Sequence, residues 1–168
     1  MTSVLLSVRP EWCQKIADGE KTIEVRKTKP KLKPPFRCYV YCTNPNTTDP
    51  YKLLTVRSGN GISKNCNGKV MGEFVCDYVQ GSLYPADGLV DVCDEKQSCL
   101  TAKQIIEYAN GKLVYFWHIS NFQLYDYPKP LEMFKHWANH SPTWAHLVAL
   151  SRPPQSWCDV EELEGESE

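Results

Sequence analysis

With 168 residues, 42% of them hydrophobic and 23% charged, the chain has the composition of one ordinary globular domain. No apolar run approaches the ~18 residues that cross a bilayer, which excludes a helical membrane protein. The formal net charge of −1 hides an asymmetry: residues 1–40 hold nine Lys/Arg against four Asp/Glu, whereas residues 159–168 hold six acids and no base.

The chain opens on Val4-Leu5-Leu6-Ser7-Val8, a buried first strand, with no basic stretch ahead of it that would mark a cleaved signal peptide. A cytoplasmic setting is the expectation. Pro10 is placed to start a helix, because proline at the first helical position loses no hydrogen bond. Trp12, Ile16 and Ala17 then share one face, and Gly19 supplies the left-handed stop. From Lys21 to Arg26 the order is that of a period-two strand, with Ile23 and Val25 facing in and Thr22, Glu24 and Arg26 on the opposite, charged side.

Lys27, Lys29, Lys31 and Lys33 follow in a proline-rich, extended basic loop, which draws phosphates over a Debye length of ~8–10 Å. Arg37–Thr43 reads as a second strand. Residues 44–67 read as a long loop with turn signals at Gly59-Asn60-Gly61 and Asn67-Gly68. Lys69–Val79 is a third strand, with Gly72 as a bulge. Residues 80–100 show no periodicity and read as loop. Thr101-Ala102-Lys103-Gln104 is a capping box that opens a helix closed by Gly111.

Leu113–Ser120 and Phe122–Tyr125 read as two aromatic-rich strands joined at Ser120-Asn121 and ended by Pro128 and Pro130. A short helix is expected within Phe134–Trp144, and a last strand at Ser156–Val160. The result is an α+β fold: five or six mostly antiparallel strands in a small barrel with two or three flanking helices. One domain is expected over residues 1–160, with residues 161–168 as a flexible acidic tail.

Eight cysteines are read as reduced thiols. Cys38-x3-Cys42 and Cys93-x5-Cys99 lack the tight C-x2-C hook of most zinc sites, and Cys38 and Cys42 fit as small core residues in a strand. His136, His140 and His146 form an H-x3-H-x5-H series with no carboxylate motif beside it. No metal and no cofactor are expected. There is no glycine-rich phosphate loop, H-E-x-x-H pair or G-x-S-x-G elbow.

Chemistry is sought instead at Gly19–Lys27. Packing explains Ile23 and Val25 but not the crowding of Lys21, Glu24 and Arg26. Arg26 has the planar fork that grips a phosphate or carboxylate, Glu24 can accept from a base amino group, and a desolvated Lys21 can serve as point charge or base. The plainer alternative is a surface Glu24–Arg26 pair worth ~0–1 kcal/mol. Trp117 and Phe116 offer flat faces for a nucleobase, against the plainer reading of His118 as a satisfied core residue among aromatics.

Val4-Leu5-Leu6-Ser7-Val8-Arg9-Pro10 and Ile16-Ala17-Asp18-Gly19-Glu20-Lys21-Thr22-Ile23-Glu24-Val25-Arg26-Lys27 closely resemble the opening of ASCH domains, named for activating-signal-cointegrator homology. Gly68-Lys69-Val70-Met71-Gly72-Glu73-Phe74, Trp117-His118-Ile119, Leu124-Tyr125-Asp126-Tyr127-Pro128 and Pro154-Gln155-Ser156-Trp157-Cys158 extend the resemblance to short bacterial and prophage members. It implies a PUA-like β-barrel with a cleft beside the first helix, floored by the Gly-x-Lys-Thr-x-Glu-x-Arg stretch. It also implies binding of RNA or a small nucleotide or nucleoside. The ligand-binding set expected on this basis is Lys21, Thr22, Glu24, Arg26, Lys27, Trp117, His118 and Ser120.

One branch of the family, the small acetylcytidine amidohydrolases, reads Lys-Thr-Ile-Thr-Ile-Arg at this stretch and uses the lysine, the second threonine and a distant glutamate. Lys21 matches the lysine, but Glu24 stands at the second threonine, so a hydroxyl nucleophile is missing. Glu107 and Glu73 are the loose matches for the distant glutamate. Three expectations follow: a binding module for RNA or a nucleotide; a hydrolase of an acylated nucleoside or of RNA, with Lys21 and Glu24 catalytic; and a prophage protein that sequesters a signalling nucleotide.

Overall fold

The computed structural model describes residues 1–45, 54–57, 61, 63–84, 88–139 and 145–163, with backbone alone at 139 and 145. In chain order the elements are β1 (Thr2–Val8), α1 (Pro10–Ala17), β2 (Ile23–Arg26), β3 (Phe36–Cys42), β4 (Thr55–Arg57), β5 (Ser63–Asn65), β6 (Lys69–Cys76) and β7 (Val79–Leu83). They continue with α2 (Val92–Ser98), α3 (Ala102–Ala109), β8 (Leu113–His118), β9 (Ser120–Pro130), a 3-10 turn (Leu131–Met133), β10 (Lys135–Asn139), β11 (Ala145–Ala149) and β12 (Trp157–Glu161).

Among the described residues these strands form a five-stranded sheet, β12-β1-β3-β6-β9, a three-stranded sheet, β2-β8-β7, and two hairpins, β4–β5 and β10–β11. Every pairing is antiparallel except β1 with β3. Among the described residues the sheets are separate, and their hydrogen bonds do not run round a single closed circuit. No helix among the described residues is long and apolar enough to cross a membrane.

The period of two explains the core. Val4, Leu6 and Val8 of β1, with Cys38, Val40 and Cys42 of β3, face Cys13 and Ile16 of α1 and the buried Trp117. Leu5 and Tyr39 point the other way, onto Phe134, Leu150 and Val160. Both faces of β1 are covered, which is why Val4, Leu5 and Leu6 run apolar in succession instead of alternating with polar residues. A third cluster packs Ile23 and Val25 of β2 against Ile105 and Ala109 of α3 and against Phe116. Pro10 at the start of α1, the positive φ of Gly19 and the Thr101–Gln104 capping box all form as the sequence requires.

At Gly72 the β6–β9 register slips between Val70 and Gly72, and a Cβ placed there would stand 2.3 Å from the Gln123 carbonyl oxygen. The glycine exists for this close approach of backbones. Gly72→Ala is expected to cost about 1–3 kcal/mol, because the clash is with main chain that cannot swing aside. Urea denaturation checks it, and an unchanged midpoint would mean that the strands separate without penalty.

Several expectations are corrected. Residues 80–100 are not all loop: they hold the end of β7 and α2, whose Asp91 cap accepts from the Cys93 amide, and residues 85–87 of that stretch lie outside the described residues. The region of the expected helix at 134–144 contains β10, in register with β11 from Lys135↔Ala149 to Asn139↔Ala145. Within 44–67 lies the β4–β5 hairpin; residues 46–53, 58–60 and 62 of that stretch, and residues 140–144 of the expected helix, His140 among them, lie outside the described residues. Cys13, unremarked in the sequence, is a buried face residue of α1.

The two aromatic strands do not pair with each other. β8 joins β2 and β7, and after the single residue Ile119 the chain enters β9 on β6, through Asn121 at φ 51°. β9 runs on through Pro128 to Pro130. The acidic end is anchored before residues 164–168, which lie outside the description. Glu161 ends β12, Glu162 pairs with Arg37 at 3.0 Å, and the Leu163 amide donates to the Tyr39 hydroxyl at 2.9 Å.

Candidate functional site

After α1 the Lys15 carbonyl accepts from the amides of both Glu20 and Lys21, each at 3.0 Å, and this tight turn delivers the chain to β2. Thr22 is then held by its backbone: its amide donates to Gln97 at 2.9 Å and its carbonyl accepts from Ile119 at 2.8 Å. The alternation along β2 sends Ile23 and Val25 under α3 and leaves Glu24 and Arg26 on the other side. That side is charged, as the spacing implies, but it is not a solvated surface. Lys21, Glu24 and Arg26 are 3%, 7% and 8% exposed.

Their charges are bound into a chain. The Lys21 ammonium lies 3.3 Å from Glu24 Oε2 and donates to the Ser98 carbonyl at 2.7 Å. Arg26 Nη2 lies 2.8 Å from Glu24 Oε1 and donates at 2.8 Å to the Ser7 carbonyl. Arg26 Nη1 donates to the Ser156 hydroxyl at 3.2 Å and to its carbonyl at 3.3 Å. Arg26 therefore ties β1 and the 153–156 segment to β2, and Lys21 ties in the end of α2.

Burial by itself drives the Glu24 carboxyl upward. The charges of Lys21 and Arg26 outweigh it and hold the group below the ordinary glutamate value, so it is ionised at neutral pH. Among the described residues two polar atoms of the trio have no hydrogen-bond partner: Glu24 Oε2, whose contact with Lys21 is the longer ionic one, and Arg26 Nε.

These three side chains line a cleft of about 760 Å³, a volume that suits a nucleotide-sized ligand. Ser7 and the 153–156 segment form one side, Trp12 of α1 another, and Gln104 and Tyr108 of α3 a third. The Lys21 ammonium is 5.3 Å from the centre of the Trp12 ring. At the rim the exposed Lys27 places its ammonium 4.9 Å from the centre of the Tyr108 ring.

Of the expected ligand-binding residues, the fold thus gathers Lys21, Glu24 and Arg26 at the cleft and sets Lys27 at its edge through Tyr108. Thr22 contributes backbone bonds. Trp117, His118 and Ser120 are not brought there. Trp117 is wholly buried, edge-on to Phe36 with ring centres 5.8 Å apart, so it has no open face for a base. His118 turns to Asp77, 2.5 Å from Nδ1, and stacks on Tyr78. The Ser120 hydroxyl is used by the Val75 carbonyl at 2.9 Å.

Nor do the two loose glutamate matches line the cleft. Glu107 is exposed near Lys103, and Glu73 pairs with Arg37 and Tyr125 in a separate groove. The residues that sequence reasoning missed are Trp12, Gln104, Tyr108 and Pro153 to Ser156. The last had a signal in the Pro154-Gln155-Ser156 match, whereas Trp12 and Gln104 were absorbed by core and capping readings.

Comparison with known proteins agrees with this architecture. A family model described as "ASCH domain" matches residues 6–125. The crystal structure of the ASCH protein from Zymomonas mobilis is similar with a TM-score of 0.53 at 17% identity, over 93% of this chain and 85% of that one. A point mutant of the same protein gives 0.58 at 16% identity, over 93% and 88%. At such identities the likeness speaks to the fold. No curated protein matches the chain. The match of the family model over residues 6–125, most of the chain and the part that carries Lys21, Glu24 and Arg26, establishes that the chain belongs to the ASCH domain family.

Proposed function

We propose that this chain is a binding module that takes RNA or a free nucleotide or nucleoside into the cleft above Lys21, Glu24 and Arg26. The observation that carries the reading is the burial of these three charged side chains at the floor of an open cleft. A surface ion pair needs no burial, and a core has no use for three charges that could be replaced by apolar residues without loss of stability. Trp12 and Tyr108 on the walls suit the stacking of a base, worth ~1–3 kcal/mol per base. The same reading carries the PUA-like barrel as the proposed frame, with the two larger sheets as its halves.

The test is a panel of nucleosides, nucleotides and short oligoribonucleotides titrated against the whole chain at two salt concentrations. Oligonucleotide affinity falls with salt as phosphate contacts release counterions. Lys21→Ala is expected to weaken binding by about 10- to 100-fold, as loss of a charge-assisted contact of ~1.5–3 kcal/mol implies. A full panel without measurable affinity rejects the reading.

A second reading, hydrolysis of an acylated nucleoside or of RNA, is favoured by one observation: the 3.3 Å approach of the Lys21 ammonium to a Glu24 carboxylate oxygen with no hydrogen bond of its own. Such a pair can activate a water where a hydroxyl nucleophile is missing. Incubation with acetylcytidine and with labelled RNA tests it, and turnover that survives Lys21→Ala removes Lys21 from the reaction.

A further inference from the structure

The charge at the floor of the cleft does not balance. Lys21 and Arg26 carry two positive charges, and Glu24 is the one carboxylate bonded to either among the described residues. Glu11, also on the lining, is exposed at the rim and touches neither cation. A net positive charge is therefore held where all three side chains are more than nine-tenths buried. Sequestering an ion from water costs several kcal/mol unless a counter-charge is at hand.

The unspent hydrogen-bonding capacity points the same way. Among the described residues Arg26 Nε has no acceptor, and the three donors of the Lys21 ammonium have two oxygen partners, Ser98 and Glu24. Protein acceptors are thus in short supply around the two cations. Their other partners are neutral: the carbonyls of Ser7, Ser98 and Ser156 and the Ser156 hydroxyl.

We infer that the cleft is built for an anionic group, a phosphate monoester carried by its ligand, which settles against Lys21 and Arg26 and completes the charge that Glu24 only half neutralises. The inference rests on the reading of the cleft as a nucleotide or RNA site and narrows it. The ligand is a phosphorylated species, and a neutral nucleoside lacks the group the floor demands. A free nucleoside monophosphate and the terminal phosphate of an RNA strand share this chemistry. Glu24 acts by position: it spaces the two cations and sets how much positive charge remains.

The test is calorimetry on the full chain with inorganic phosphate, with nucleosides and their 3′- and 5′-monophosphates, and with short oligoribonucleotides bearing terminal phosphate or hydroxyl. Monophosphates are expected to bind at least about tenfold more tightly than their nucleosides, since opposite charges a few ångströms apart attract more strongly in a partly buried site than in water. An equal gain for the end-phosphorylated strand identifies the RNA terminus as a source; a gain confined to monophosphates identifies the free nucleotide.

Glu24→Gln, which removes the one negative charge, is expected to tighten inorganic phosphate binding about tenfold. Lys21→Met keeps the neutral Glu24–Arg26 pair and leaves no unpaired buried charge, and it is expected to fold and to weaken phosphate binding by a similar factor. Nucleosides that bind as tightly as their monophosphates, or phosphate binding that weakens in Glu24→Gln, overturn the inference and leave the nucleoside-binding reading intact. Inorganic phosphate that binds with the expected charge dependence, while no nucleotide or RNA exceeds it, upholds the anion site and rejects that reading.

Discussion

Glu24→Gln is expected to lower the stability of the unliganded chain by about 3–5 kcal/mol, because it leaves Lys21 and Arg26 buried with no carboxylate between them. In a domain of this length that corresponds to a fall in Tm of about 6–20 °C. The effect has a pH signature whose sign follows from the carboxyl's displacement. Glu24 is held below its ordinary value of 4.5 in the folded chain, so its ionisation stabilises the fold fully above that value. The contribution is lost as pH falls from 4.5 through the lower folded value. Urea midpoints measured from pH 7 down to pH 3 should show this acid-side loss in the wild type, and Glu24→Gln should lack that component. Equal stability of the two proteins at pH 7 would show that water already compensates the two cations.

Trp117→Ala is expected to cost about 3–5 kcal/mol, the usual penalty for emptying a fully buried aromatic site. Trp117 is 0% exposed and lies among Phe36, Trp157 and the apolar face of β1 and β3. Its loss opens a cavity at the junction of both larger sheets. This result separates two roles for the same residue. A stacking platform would lose affinity and keep its melting temperature; a core residue loses melting temperature first, and ligand affinity at temperatures where the variant remains folded stays near the wild-type value. Circular dichroism melts and titrations on the same sample decide it.

That residue also shows where the reading of the sequence reached its limit. Alternation along Lys21–Arg26 was sufficient to separate Ile23 and Val25 from Glu24 and Arg26, since a strand has only two faces. It was not sufficient to tell whether the charged face is wet. The answer depends on α2, α3 and the 153–156 segment, which close over β2 from distant parts of the chain. Trp117 sits opposite Glu24 in the β2–β8 register, so sequence proximity to the site was real, yet its ring lies in the core.

The local signals were legible because their physics is local. Pro10 starts a helix, Gly19 ends it, and Thr101 and Gln104 cap another, each through the geometry of a few neighbouring residues. The misses share the opposite cause. β10 has a Lys-His-Trp-Ala-Asn sequence of weak preference and becomes a strand because β11 supplies its hydrogen-bond partners. Residues 92–98 become a helix under an Asp91 cap although no apolar period announces one.

By itself, the sequence determined the family, the buried first strand and the three charged residues of the cleft, because an apolar run and a specific order of side chains need no partner to be read. Tertiary structure alone decided that those charges are buried, that two cations share one carboxylate, and that Trp12, Tyr108 and Ser156 complete the cleft while Trp117, His118 and Ser120 do not. Burial and charge balance are sums over residues far apart in the chain, and only the packed fold brings those residues together.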